Sequence, residues 1–213
     1  MTDDKISSNA AIDAALHLDG SPGRVKEFYA QWAKNYDSDV GDACYSGPAI
    51  AAKLLSQHVA DRAARLLDAG CGTGQVGREL QALGYSVIDG FDLSPEMADL
   101  ATSTGVYRRV VGDIDMMRAL EDFPGSDYDA LLSIGVFTLG HVPPEALAVL
   151  AQLLRAGGVL LVSTRSHYYE QTGFQQQVDA LLDSGQLALD QVIWDAPYNH
   201  DGDAHYWVFR TSG

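Results

Sequence analysis

The sequence predicts an α/β protein: a doubly wound, mostly parallel sheet with helices on both faces and a helical segment ahead of it. Three observations predict this. From residue 65 onward, short apolar runs alternate with segments of helical period, a pattern that calls for crossover connections between parallel strands. A glycine-rich turn, "GCGTGQVG" at 70–77, sits between one such run and the next helical segment. Finally, the last two apolar runs, "QVIWDAPY" and "HYWVFRT", are separated only by "NHDGDAH". That stretch is too short for a crossover, so these strands pair antiparallel.

Each element has its own signal. Residues 1–23 are polar and bounded by "LDGSPG", a lead-in with a short helix at most. The stretch "RVKEFYAQWAKNYDSDV" places Val25, Phe28, Tyr29, Trp32 and Tyr36 on one helical stripe, and "GPAIAAKLLSQHVADRA" opens a further helix at Gly47-Pro48. "RLLDA" is the first strand, followed by a helix with Val76, Leu80 and Leu83 in phase and Gly84 as its stop. "SVIDGFD" precedes a helix with Ser94 as N-cap and Pro95 in its first turn. "RRVVGD" is the third strand, with a short helical stretch near 115–121 after it. "YDALLSIGV" reads as a buried strand, "PPEALAVLAQLLRAGG" as a helix from proline to glycine, and "GVLLVSTRS" as the next strand. Residues 168–183 have an amphipathic period through Phe174, Val178, Leu181 and Leu182, stopping near Gly185.

Composition narrows the function. With 213 residues, 46% of them hydrophobic, the chain can bury one sizeable core. A formal net charge of −15 repels phosphate backbones, which disfavours nucleic-acid partners. Cys44 and Cys71 form no CxxC or Cys/His cluster, so neither a disulfide scaffold nor a structural metal site is expected. The first residues have no basic region followed by an apolar one, and no run of about 18 apolar residues occurs. The expectation is a cytoplasmic protein that does not engage a membrane.

The glycine turn admits two cofactors. Read from Gly72, "GTGQVG" is the GxGxxG of a dinucleotide-binding loop, which presents free N–H groups to a pyrophosphate. The apolar run, however, ends in Asp68, two residues before Gly70. A carboxylate there would repel pyrophosphate by about one to several kcal/mol. The same acid suits S-adenosylmethionine, which has no phosphate but carries an ammonium and a sulfonium. Asp92, 20 residues after Gly72, stands where an acid binds ribose hydroxyls in either case. Asp68 decides between them.

The segments "LLDAGCGTGQVG", "GFDLSPEMADLA", "VVGDI", "YDALLSIGVF" and "RAGGVLLVSTR" occur in the order and spacing of class I S-adenosylmethionine-dependent methyltransferases. The resemblance covers roughly residues 25–167. Through "YDSDV", "GVYRRVVGDI" and "VLLVSTRSHYYEQTGF", the chain most resembles the methyltransferase-like proteins named after the Williams–Beuren syndrome region. This implies a Rossmann-like sheet of seven strands in the order 3-2-1-4-5-7-6. It also implies a lid in residues 1–60 over a methyltransferase domain in 61–213. Asp68, Gly70, Cys71, Gly72 and Gly74 would wrap the methionine portion. Asp92 would bind the ribose diol, with Leu93 and Met97 beside the adenine. Asp113 would accept from the adenine amine and Ile114 would offer a backbone N–H. Ser133, Ile134 and Gly135 would lie beside the methyl group. Tyr36 is the first of the lid aromatics expected to touch the cofactor.

His141, in "VFTLGHVPP", follows the fourth strand on the acceptor face and is the candidate general base for a hydroxyl acceptor. Cys71 has no base beside it and is read as a small packing residue. Arg165 and His167 are secondary candidates for substrate contact, whereas Tyr198, His200 and His205 read as a solvated turn. An Asn/Asp-Pro-Pro-Tyr stretch, typical of methylases of planar amines, is replaced by "SIGVF". The expected partner is a small-molecule acceptor, with nucleic acid disfavoured, no metal, and a monomeric or homodimeric protein.

Overall fold

Uninterrupted apolar runs become central strands here because parallel pairing buries both of their faces. The computed structural model describes residues 4–123, 127–200 and 202–212. In chain order its elements are α1 (Asp4–Ala15), α2 (Pro22–Asp42), α3 (Gly47–His58), β1 (Arg65–Ala69), α4 (Gln75–Ala82), β2 (Val87–Phe91), α5 (Pro95–Ser103) and β3 (Arg109–Val111). A 3-10 turn at Met116–Arg118 and α6 (Ala119–Asp122) lead to β4 (Tyr128–Phe137), α7 (Ala146–Gln152) and β5 (Leu154–Arg165). The chain finishes with α8 (Ser166–Gln171), α9 (Phe174–Asp183), β6 (Leu187–Asn199) and β7 (Gly202–Thr211).

The strands form one sheet in the order β3-β2-β1-β4-β5-β7-β6, as expected. β7 lies antiparallel to both β5 and β6, and the other pairs are parallel. Alternate residues feed two cores: Leu67, Leu131 and Leu160 face α7 and α9, while Leu66, Leu132 and Leu161 face α3 and α4. A third cluster, built on Ala15, Trp32 and Val40, joins α1 to α2. Although α3 lies within residues 1–60, it buries Ala51, Leu54 and Leu55 in the sheet's own core. Strand order reverses between β2 and β4 on either side of β1, which opens a crevice at their carboxyl ends. No helix among the described residues is long and apolar enough to cross a membrane.

Three local expectations are corrected. The helix expected through "QLLRAGG" stops at Gln152, because Leu154 joins the sheet opposite Tyr128 and Arg155–Gly158 bulge before Val159 resumes pairing with Ala130. The helix expected over 168–183 breaks at Thr172, which is extended, and this lets Tyr168 and Phe174 both pack on Phe137, with ring centroids 6.0 and 5.6 Å away. The final hairpin is tighter than its sequence suggests, with Asn199 paired to Gly202. Tyr198 and His205 are therefore buried in the ladder rather than in a solvated turn, whereas His200 is exposed. The Ser94 cap stands as read, its hydroxyl accepting from the Met97 N–H at 3.3 Å.

Candidate active site

The glycine loop leaves β1 at Ala69 and is tied at once to β2. The Gly70 and Cys71 N–H groups both donate to the Phe91 carbonyl, at 2.9 Å each. The Gly72 N–H donates to Asp92 Oδ2 at 2.8 Å, and the Ser94 N–H donates to Asp92 Oδ1 at 2.9 Å. Gly72 has φ +53°, and a Cβ built there would meet nothing within 4 Å. Its backbone faces open space, as a loop that cradles a ligand must.

Asp68 lies beneath this loop, 1% exposed. Its Oδ2 accepts from the Tyr107 hydroxyl at 2.6 Å, while its buried Oδ1 has no partner. Burial pushes its pKa up to about 7 against the Tyr107 bond, and the neighbouring Asp92 charge pushes the same way. Burial likewise raises Asp92 to about 6, opposed by the N–H groups of Ser94, Gly72 and Leu93. Neither carboxylate has an ion-pair partner among the described residues. Tyr107 in turn accepts from the Gly77 N–H at 3.1 Å. Its ring packs where a Cβ on Gly74, Gly77 or Gly90 would crowd it. The last glycine of the GxGxxG thus makes room for a tyrosine of this chain.

Above the loop lies a cavity of about 320 Å³. Gly70, Gly72 and Asp92 border it on the loop side, Leu93, Met97 and Ile114 along one wall, and Ile134 and Gly135 along another. α2 closes it with Val25, Lys26, Tyr29 and Tyr36. α2 is held down at both ends of this contact. Asp37 accepts from Thr73 Oγ1, from Gln75 Nε2 at 2.9 Å and from Arg78 at 3.0 Å. Burial works against the Asp37 charge, but these bonds outweigh it and keep its carboxyl below the usual range. Lys26 Nζ reaches Asp113 Oδ1 at 2.5 Å.

His141 sits at the far end. Its Nδ1 lies 2.9 Å from the Leu139 carbonyl, which can only accept, so Nδ1 carries the hydrogen. Nε2 then accepts from the Tyr29 hydroxyl, 2.8 Å away. Burial lowers the His141 pKa, which keeps the ring neutral near pH 7. Beyond it is a second cavity of about 70 Å³, which shares Tyr29, Tyr36, Gly135 and His141 with the first.

Of the residues singled out from sequence, Tyr36, Gly70, Gly72, Asp92, Leu93, Met97, Ile114, Ile134, Gly135 and His141 line the larger cavity. The others stand apart from its lining. Cys71 is buried under Gly90, and its burial pushes the thiol pKa up. Gly74 caps α4 with φ +88°. Ser133 donates to the Ala69 carbonyl at 2.9 Å, joining β4 to β1. The Asp113 side chain is 68% exposed and paired to Lys26. The Ile114 N–H is already donated to the Asp92 carbonyl at 3.1 Å. Nothing in the local sequence marks Tyr107, Asp37 or Lys26 as a site residue. The quoted "GVYRRVVGDI" and "YDSDV" stretches cover the first two positions by resemblance alone.

Residues 47–212 match the family model described as a methyltransferase domain. The chain belongs to that family. Methyltransferase-like protein 27 of Homo sapiens is 33% identical over 158 residues, covering 73% of this chain and 63% of that protein. Malonyl-[acyl-carrier protein] O-methyltransferase of Halalkalibacterium halodurans is 34% identical, covering 62% and 47%. The chain thus spans less than two thirds of these relatives' length. A TehB-like SAM-dependent methyltransferase of Corynebacterium glutamicum superposes with a TM-score of 0.62 at 26% identity, over 90% of this chain and 100% of that one. Magnesium protoporphyrin IX methyltransferase of Synechocystis, solved with bound S-adenosylhomocysteine, shares the fold with a TM-score of 0.65 at 16% identity, over 90% of this chain and 99% of that one.

The family is that of methyltransferase domains, and the residues around the glycine loop fit S-adenosylmethionine. The orphaned Oδ1 of Asp68 and the carboxyl of Asp92 have no cation beside them, and a cationic ligand would favour the ionised form of both. The open Gly72 backbone leaves room beside them. A pyrophosphate in this place would meet the same two carboxylates and be repelled.

Proposed function

We propose that this chain transfers the methyl group of S-adenosylmethionine, by in-line displacement, to a small-molecule acceptor, leaving S-adenosylhomocysteine. One observation carries the reading: a buried Asp68 with a partnerless Oδ1 and a half-buried Asp92, neither in an ion pair, flank a glycine turn below a roofed cavity. When bound, the sulfonium supplies a methyl carbon on an already activated leaving group. Asp68 takes the ammonium on its free Oδ1, and Gly70, Cys71, Gly72 and Gly74 shape the backbone around the methionine end. Asp92 holds the ribose hydroxyls, and Leu93, Met97 and Ile114 form the apolar wall for the base. Ile134 and Gly135 border the methyl, with Ser133 holding that strand end in place. Asp113 contributes by pinning Lys26. α1 and α2, the outer part of residues 1–60, act as the lid over the core.

Tyr36 and Tyr29 exclude water above the reacting atoms, so alignment and desolvation supply most of the rate. A hydroxyl acceptor that displaces the Tyr29 hydroxyl finds the Nε2 lone pair of His141 free to take its proton. Two things favour a small acceptor: the helical roof over the cavity and the net charge of −15, which repels phosphate backbones. Thermal-shift measurement tests the proposal. S-adenosylmethionine and S-adenosylhomocysteine should each raise the melting temperature and NAD should not. Stabilisation by NAD alone would overturn it.

A further inference from the structure

The second cavity is built differently from the first. α1 and α2 enclose it on one side with Ala15, Trp32 and Val40, and Tyr45 and Tyr198 enclose it on the other. Among the described residues no aspartate or glutamate lines it, and the one lysine or arginine is Arg165, half-buried at the carboxyl end of β5. In a chain with 29 acidic and 14 basic residues, an arginine facing a cavity without a carboxylate partner is anomalous. Arg24, Arg65, Arg78, Arg108, Arg118, Arg155 and Arg210 all form ion pairs with Asp or Glu. Arg62 gives a hydrogen bond to the Val59 carbonyl, and Arg109 lies over Phe123. Among the described residues, Arg165 has no ion pair; its guanidinium carbon stacks 4.5 Å from the centre of the Tyr198 ring. The stacking and a hydrogen bond to the Tyr198 hydroxyl use one side of the guanidinium, and the rest of its planar edge carries N–H donors for a bidentate anion. The buried Tyr206 hydroxyl also has no partner, and burial raises its pKa, with the Arg165 charge pulling the other way.

Resting on the methyltransferase reading above, we propose that this cavity is the acceptor subsite and that the acceptor is a small carboxylic acid, held through its carboxylate by Arg165. Arg165 does not line the larger cavity, whereas Tyr29, Tyr36, Gly135 and His141 line both. The carboxylate is therefore a recognition handle, and the accepting atom is a hydroxyl or amine elsewhere on the molecule, beside the shared wall. For a hydroxyl, an oxygen lone pair forms the new O–CH3 bond as the S–CH3 bond breaks. The electron pair of that bond stays on sulfur, and the hydroxyl proton passes to His141 Nε2. The small volume, about 70 Å³, favours a planar carboxylate over a bulkier phosphate ester.

The test uses the full chain saturated with S-adenosylhomocysteine. Lactate, 3-hydroxybutyrate, salicylate and 4-hydroxybenzoate are each titrated beside their primary amides, with phenyl phosphate as a further arm. At least one acid should bind ten-fold or more tightly than its amide. Arg165→Gln should erase that preference and Arg165→Lys should retain part of it, with the thermal shift from S-adenosylhomocysteine unchanged in both. No acid preferred over its amide, or a preference that survives in Arg165→Gln, overturns the proposal, as does tighter binding of phenyl phosphate than of any acid. Absence of the S-adenosylhomocysteine shift in the wild-type chain would instead sink the cofactor reading. The acid–amide comparison needs no variant, so a misfolded Arg165→Gln does not shield the idea.

Discussion

The two cavities share a wall but were assembled from different kinds of sequence. The floor of the larger one is formed by strand ends and by the loops after β1, β2 and β3, so its groups from Gly70 to Asp115 lie within about fifty residues of one another. The smaller one gathers Leu16, Trp32, Tyr45, Arg165 and Tyr198 from four separate stretches of chain. In the first, backbone geometry places the ligand groups. In the second, only tertiary packing brings the side chains together. A cofactor site can therefore be read locally, while an acceptor site of this kind has no local signature.

The sharpest way to break the comparison is at the shared wall. Gly135 has φ +80°, and a Cβ there would lie 2.8 and 2.9 Å from the Tyr45 and Tyr198 hydroxyls. Gly135→Ala should cost about 2–5 kcal/mol, combining left-handed backbone strain with crowding. Gly105, at φ +70° with nothing within 4 Å, supplies the control. Gly105→Ala should show the backbone part alone, about 1–2 kcal/mol. Urea unfolding of both variants measures the difference. Equal losses would mean that the two tyrosines do not press on the wall.

Next in size is Asp92→Ala, which should weaken S-adenosylmethionine binding by about 1–3 kcal/mol through lost bonds to the ligand and to the Gly72 and Ser94 N–H groups. Calorimetric titration reads this directly. An unchanged affinity would remove Asp92 from the site. The acid preference of the smaller cavity should survive this substitution, which keeps the two halves separable.

Asp68 sharpens the cofactor half through pH. Its folded pKa, about 7, lies above the usual 3.8. The stability it contributes is full below 3.8 and is lost as pH rises through about 7. A cationic ligand needs the ionised form, so affinity should rise over the same window. The melting temperature of the free protein and its cofactor affinity are thus expected to move in opposite directions between about pH 5 and 8. Tyr107→Phe removes the bond that favours the carboxylate, which should move the affinity midpoint upward and cost about 0.5–1.5 kcal/mol near neutral pH. An affinity independent of pH would contradict the pairing of Asp68 with the ammonium.

Much of this architecture was legible in the residues. β1, the Ser94 cap, the strand order and the antiparallel β7 follow from apolar runs, capping chemistry, family resemblance and a connection too short to cross over. What escaped were outcomes decided by contacts distant in sequence. Leu154 leaves a helical context because Tyr128 offers a ladder position, and Tyr198 is buried because the hairpin extends to Asn199 and Gly202. Gly77 looked like part of a phosphate loop because its spacing says nothing of Tyr107, 30 residues away. Motif spacing likewise says nothing of the partners these side chains have here, Ala69 for Ser133 and Lys26 for Asp113.

The smallest expected effect concerns the roof. Lys26 and Asp113 form an ion pair whose side chains are 36% and 68% exposed, so water screens it and it contributes about 0–1 kcal/mol to folding. The pair nevertheless spans from α2 to the loop after β3, across the mouth of the larger cavity, whereas Asp37 holds the same helix by several bonds. Lys26→Met keeps the aliphatic stem and removes the charge. The melting temperature should barely move, while release of S-adenosylhomocysteine in stopped flow should quicken by up to about five-fold, the equivalent of about 1 kcal/mol. A large fall in melting temperature would make the pair a structural support, and an unchanged release rate would leave Asp37 as the clasp that matters. Either result locates which end of α2 must lift for the cofactor to leave.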